Sequence, residues 1–116
     1  MIKTITIARK KPGMTDAEFS HYWKDIHGPL AAKGIPGVRR YVQNHVISVP
    51  GHDSDVNGVV EMWYDDLPTF QKSMAFLMSP AGKFLRDDGS KFCGAGKPGE
   101  DWVVEEYVIK DELTKK

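Results

Sequence analysis

The hydrophobic period of this chain alternates between two values, and the order of the changes leaves few ways to fold. A period of two marks a strand with side chains on alternate faces, and a period of about 3.6 marks an amphipathic helix. From Ile2 to Ala8 the shorter period holds, with Ile5 and Ile7 on one side and Thr4, Thr6 and Ala8 on the other. Pro12 and Gly13 end it. Thr15, followed three residues later by Glu18, is the reciprocal capping pair of a helix start. Phe19, Tyr22, Trp23, Ile26 and Leu30 then form one helical stripe. Gly28 and Pro29 sit inside that stripe. A proline there lacks an N–H and disfavours helical geometry at the residue before it, so a kink or break is expected after His27.

Gly34, Pro36 and Gly37 mark a loop, after which Arg40 to Ile47 reads as a second strand. A polar loop over residues 50–58 leads to a third strand from Val59 to Tyr64. Leu67, Phe70, Met74, Leu77 and Met78 return to helical spacing, so a helix is expected from about Asp66 to Met78. Ser79 and Pro80 suit the cap and first turn of a short helix carrying Phe84 and Leu85. A glycine-rich loop over residues 89–99 precedes a last strand from Trp102 to Ile109. Strand, helix, strand, strand, helix, strand is the split βαβ order, an α+β fold with a four-stranded antiparallel sheet and helices on one face. Strands three and four carry large apolar residues on both faces, Trp63 opposite Tyr64 and Trp102 opposite Val103. Two helices cover one face only, so the other is expected to meet a second copy of the chain.

At 116 residues with 41% hydrophobic content, the chain is expected to be one domain, residues 1–116, with a modest core. Lys and Arg balance Asp and Glu at 16 each, which removes the overall positive field that would favour nucleic acid or an anionic membrane surface. The single cysteine, Cys93, cannot close an internal disulfide, and the opening Met-Ile-Lys-Thr is not a secretory leader, so a cytoplasmic location is expected. No apolar run approaches the roughly 20 residues of a membrane span.

His27 lies at the edge of the helical stripe where Pro29 interrupts regular geometry, beside the core and near a helix end. An imidazole there suits proton transfer near neutral pH, or it caps carbonyls and hydrogen-bonds in the core. Tyr41, Gln43 and His45 share one strand face and either converge on a ligand or belong to a subunit contact. Trp23, Trp63 and Phe70 are candidate apolar walls of a pocket. Cys93 has Lys91 and Lys97 near it in sequence, weak grounds for an activated thiol. Gly94, Gly96 and Gly99 fit the letters of a dinucleotide-binding loop, but no apolar strand precedes them and no helix follows, so they read as a flexible loop. His21, His27, His45 and His52 have no metal-site spacing, and Arg39 with Arg40 reads as a solvated basic pair or a greeting for an anion.

The run Tyr22-Trp23-Lys24-Asp25-Ile26-His27-Gly28-Pro29-Leu30, followed by Pro36-Gly37-Val38-Arg39-Arg40-Tyr41-Val42-Gln43-Asn44, resembles the signature of the EthD family. Lys11 to Thr15 and the last strand fit it too. The resemblance implies a ferredoxin-like subunit in a dimeric α+β barrel, two sheets packed face to face, each subunit keeping a pocket between its helices and sheet. It also leaves three roles open, of which a haem-handling or antibiotic-oxidising one, as in the wider group of dimeric barrels, is the third. The first is cofactor-free proton-transfer chemistry that isomerises, cyclises or dehydrates a lactone, phenol or polyketide-like molecule. His27 would be the acid or base, Tyr41 would polarise the substrate oxygen, and Gln43 and His45 would support it. The second is an accessory role, holding a small hydrophobic or aromatic ligand for an oxidoreductase system such as ether degradation.

Overall fold

The computed structural model describes residues 1–94 and 99–113. Strand β1 (Ile2–Ala8) leads into helix α1 (Asp16–His21), a wide helical turn over Tyr22–His27, and α2 (Gly28–Gly34). β2 (Arg40–His45) and β3 (Gly58–Tyr64) follow, then α3 (Leu67–Met78), a 3-10 turn over Pro80–Gly82, α4 (Lys83–Gly89) and β4 (Asp101–Glu105). The four strands make one antiparallel sheet in the order β2-β3-β1-β4, the ferredoxin-like arrangement. No helix among the described residues is long and apolar enough to cross a membrane.

Local chemistry sets the helix starts. Thr15 Oγ1 accepts from the Glu18 amide at 3.1 Å, and Glu18 Oε1 accepts from the Thr15 amide at 2.9 Å, so both halves of the capping box form. Asp66 accepts from the Thr69 amide at 2.8 Å and starts α3.

Of the kink or break expected after His27, the break does not occur; the irregularity is the wide turn that precedes α2. Gly28 stays helical at φ −55°, ψ −52°, and its amide reaches back five residues to the Trp23 carbonyl. Pro29 falls in the first turn of α2, where its missing N–H costs least, and the preceding turn opens by one residue to admit it.

Two further boundaries differ from the sequence reading. β2 stops at His45, because its partner β3 begins opposite it at Gly58. β4 stops at Glu105, paired with Ile2, because β1 offers no further residue to pair with; the alternation through Ile109 continues without a ladder. Ser79 stands at the N-cap of the 3-10 turn with Pro80 in its first turn, as expected, but its hydroxyl donates to the Phe76 carbonyl at 2.6 Å at the end of α3 and makes no capping bond. The glycine pattern at 94, 96 and 99 lies partly outside the described residues; within them, the Gly94 amide donates to the Arg9 carbonyl.

The helices cover the sheet face that bears Thr4, Thr6, Ala8, Tyr41, Gln43, Gly58, Val60 and Met62. Two apolar clusters fill that layer. One joins Ala8, Phe19, Trp23 and Phe92, and the other joins Ala31, Ile35 and Leu85 with Tyr41 and Met62 against them. The opposite face carries the register rows Arg40–Trp63–Lys3–Val104 and Val42–Glu61–Ile5–Trp102. There Lys3 Nζ lies 2.7 Å from both Glu61 and Glu106, Trp63 Nε1 donates to Glu106 at 3.0 Å, and Arg40 lies over the Trp63 ring.

Candidate functional site

Between the two clusters lies a cavity of about 260 Å³, lined by Trp23 and His27 from the wide turn, Ala31 and Ile35 from α2 and its end, Tyr41 from β2, Val60 and Met62 from β3, and Phe92 and Cys93. It falls just under the roughly 300–1,000 Å³ usual for ligand pockets, so the space suits a small molecule. Most of the wall is apolar, and a few polar groups converge on it.

His27 is held by a partner 61 residues away: its Nδ1 lies 2.8 Å from Asp88 Oδ2. Asp88 sits near the end of α4 and is 7% exposed. Tyr22 Oη donates to its other oxygen at 2.6 Å. Burial pushes the Asp88 carboxyl up, but the hydrogen bonds from Tyr22 and His27 and the nearby charge of Lys91 outweigh it and hold the group below its ordinary value. The hydrogen bond to Asp88, with burial, pushes the Tyr22 phenol up to about 12. Asp88 is therefore a carboxylate and an acceptor at neutral pH, so the His27 nitrogen facing it carries the proton. In the neutral ring Nε2 is left as the basic atom. The His27 ring also packs on Phe92, centroids 4.8 Å apart.

Tyr41 is oriented by a chain of hydrogen bonds with a fixed direction. Gln43 Nε2 donates to the Trp23 carbonyl at 2.8 Å, which settles which end of the amide is the NH₂, and the same nitrogen donates to Tyr41 Oη at 3.1 Å. Gln43 Oε1 must then accept, so His45 Nε2 is protonated and donates to it at 2.8 Å. His45 Nδ1 in turn accepts from the Ser20 hydroxyl. Burial, and then the charge of Lys24, lowers the proton affinity of His45, in keeping with this neutral tautomer. Burial raises Tyr41 against the opposing bonds from Gln43 and Trp23, so it stays a phenol. Its oxygen is already served by Gln43, and among the described residues none accepts its O–H, which is left for the cavity.

The wide turn explains why this motif needs its glycine. By accepting from Gly28 instead of the residue before it, the Trp23 carbonyl is presented to Gln43. A Cβ on Gly28 would lie 2.7 Å from Gln43 Nε2 and 3.0 Å from that carbonyl, so a larger residue would expel the amide that orients Tyr41.

The EthD domain model matches residues 11–96, a span that contains the wide turn, His27, Tyr41 and Asp88. The chain belongs to the EthD family. An EthD family protein from Bacillus halodurans shares 25% identity over 92% of this chain and 99% of its own, with a TM-score of 0.62. An EthD-like protein from Ralstonia eutropha shares 15% identity, with 94% of each chain covered and a TM-score of 0.66. A dimeric protein of unknown function and ferredoxin-like fold from Bacteroides fragilis shares 14% identity over 89% of this chain and 91% of its own, with a TM-score of 0.56. Among curated proteins none matches the chain.

In this EthD chain the other candidate residues divide by which face of the sheet they occupy. Trp63 does not wall the cavity; it lies on the open face between Lys3 and Arg40, because Met62 and Val60 take the inward positions of β3. Phe70 also lies outside the cavity, its ring edge-on to Tyr64. Gln43 stands behind Tyr41. His45 stacks on Trp23 at 4.5 Å and lines a second, polar hollow of about 230 Å³ with Ser20 and His52. The open face does not claim Tyr41, Gln43 and His45, because all three point under the helices. Arg39 pairs with Asp65, and Arg40 rests on Trp63, so neither reaches the cavity. Cys93 does line it, but burial pushes its thiol up to about 11, leaving it protonated and weakly nucleophilic at neutral pH. Among the described residues no three His, Cys, Asp or Glu side chains come together as metal ligands.

Sequence reasoning missed Asp88, the residue that fixes the His27 tautomer, and Arg9 and Glu100, which also line the cavity. Nothing in their spacing ties them to His27.

Proposed function

We propose that this EthD protein moves a proton on a small, largely apolar organic molecule, isomerising, cyclising or dehydrating it without a cofactor. The observation that carries the reading is the His27–Asp88 pair at the wall of an apolar cavity into which the Tyr41 hydroxyl also turns. His27 Nε2 accepts a proton from a carbon next to a carbonyl, and the Tyr41 O–H donates to the carbonyl oxygen as negative charge grows there. Asp88 stabilises the imidazolium that results, and His27 returns the proton at another position. The apolar walls exclude water, which strengthens both interactions.

Exchange of α-protons in D₂O, followed by NMR over a panel of enolisable lactones and cyclic ketones, tests this directly. His27→Asn is expected to slow exchange by about 10² to 10⁴ while leaving ligand affinity in place. Asp88→Asn should slow it as well and alter its pH profile, since the amide no longer fixes the tautomer. Exchange by His27→Asn at the wild-type rate would rule the reading out. Ligand binding by the wild type with no exchange across the panel would favour the accessory role, a carrier for an oxidoreductase system.

We also propose that the open sheet face joins a second copy of the chain. Support comes from Ile5, Val42, Trp102 and Val104, apolar residues clustered there with no helix over them, and from the dimeric state of the Bacteroides fragilis protein of the same fold.

A further inference from the structure

The two oxygens of Asp88 are divided between two residues of the wide turn. Oδ1 accepts from the Tyr22 hydroxyl at 2.6 Å, and Oδ2 lies 2.8 Å from His27 Nδ1. Tyr22 and His27 are five residues apart in sequence. Around a regular α-helix, at 3.6 residues per turn, that spacing puts two side chains about 140° apart, on different faces. The turn over Tyr22–His27 is of the wider kind, in which an amide reaches back to the fifth residue before it, as Gly28 does to Trp23. Positions five apart then come round to one face. The extra residue that admits Pro29 therefore also sets Tyr22 beside His27 over one carboxylate.

Asp88 needs such an anchor, because its own helix does not hold it. It is next to last in α4, where the unpaired carbonyls of a helix end repel negative charge. Lys91 draws it the other way: its Nζ lies 3.7 Å from Oδ1, the oxygen that Tyr22 holds, on a side chain that is largely exposed. Tyr22 makes the shorter contact. Its ring packs on Phe92 with centroids 5.2 Å apart, the same ring on which His27 rests, so the hydroxyl and the imidazole share one support. The bond to Asp88, with burial, pushes the phenol up to about 12, and it stays a donor throughout the neutral range. Tyr22 is not among the residues that line the cavity, so whatever it does there it does through Asp88.

We infer that Tyr22 is a positioning residue of this site: its hydroxyl holds the Asp88 carboxylate on His27, which keeps the imidazole proton on Nδ1 and leaves Nε2 as the basic atom. The inference rests on the reading of His27 as the base and names the residue that sets which of its nitrogens is basic.

Long-range proton–nitrogen NMR spectra of the full chain, free of ligand and at a pH where the ring is neutral, read the tautomer directly. Wild-type His27 should carry its proton on Nδ1. Tyr22→Phe keeps the ring on Phe92 but lacks the hydroxyl, and it should shift the His27 tautomer ratio about tenfold toward protonation on Nε2. His45, whose tautomer is set by Gln43 and Ser20, is the internal control and should keep its proton on Nε2. Where a ketone or lactone of the panel exchanges, Tyr22→Phe should slow that exchange about tenfold and leave affinity unchanged. A second measurement needs no variant and decides the matter even where Tyr22→Phe does not fold. In the wild type, the hydroxyl-bearing ring carbon of Tyr22 should shift as His27 is titrated, with the same midpoint, because both draw on one carboxylate. The inference is overturned if the His27 ratio in Tyr22→Phe stays at its wild-type value, if His45 changes along with it, or if the Tyr22 carbon ignores the His27 titration. None of these three readouts uses turnover. A wild type that exchanges nothing would sink proton transfer and leave the role of Tyr22 standing.

Discussion

The two faces of the sheet are made by the same four strands, yet they place bulk and charge in opposite ways. On the covered face the strands mix small residues, Thr4, Thr6, Ala8 and Gly58, with Tyr41, Met62 and Tyr64, and beside the small ones the volume comes from Phe19, Trp23 and Phe92 outside the sheet. On the open face the strands themselves supply the large residues, and a lysine lies between two carboxylates beside a tryptophan. Around Ala8 and Gly58, small strand residues leave the room that the Trp23 and Phe19 rings fill. The open face, without helices over it, is the one proposed above to meet a second copy.

The largest expected effect tests that room. A Cβ at Gly58 would lie 2.3 Å from the Trp23 ring and 2.8 Å from the Asn44 carbonyl, so Gly58→Ala should cost about 1–3 kcal/mol in urea unfolding. Val59→Ala, its neighbour on the open face, should cost less than about 1 kcal/mol at concentrations low enough to keep the chain monomeric. Equal losses would mean that the open face is packed within one chain, and the contrast would fail.

Subunit pairing comes next. At micromolar concentration, light scattering should report twice 13.0 kDa for the wild type and 13.0 kDa for Val42→Glu, which puts an unpaired charge into the apolar part of the open face. A wild type that runs as the single chain would end the proposal.

The smallest effect separates the faces by pH. The proton affinity of His45 is lowered in the fold, so the stability carried by its neutral form is full above about pH 6.5 and is lost as pH falls through its lower folded value. Lys3 holds Glu61 and Glu106 below their ordinary range, so what they contribute is full above about pH 4.3 and is lost only below that. The covered face should therefore loosen first on acidification, and His45→Gln should flatten the slope between pH 7 and 5. A slope unchanged in that variant would assign the acid sensitivity elsewhere.

Order and period sufficed for the topology, because each element carries its own signal: the Thr15–Glu18 box, the Asp66 cap and the stripe from Phe19 to Leu30 are all local. The same holds for Tyr41, Gln43 and His45, which strand alternation alone aligns. Alternation does not say which side is inward, however, and that is why Trp63 reads as a pocket wall from sequence while the register turns it outward. Phe70 shows the parallel limit for a helix, since a stripe is visible but not what it packs against. Strand ends depend on a partner strand, so Ile47 and Ile109 continue a pattern that no ladder supports. Asp88 was out of reach for a related reason: a carboxylate on a short helix resembles any solvated one until the fold brings it to His27.

The three tryptophans stand in three different places, and this makes the chain its own reporter. Trp23 forms part of the cavity wall, Trp63 lies among the charges of the open face, and Trp102 is half exposed on the outer strand β4. A variant keeping only Trp23 would register ligand entry as a change in emission. One keeping only Trp63 would register subunit contact, and one keeping only Trp102 would follow the sheet's edge, each without an added label.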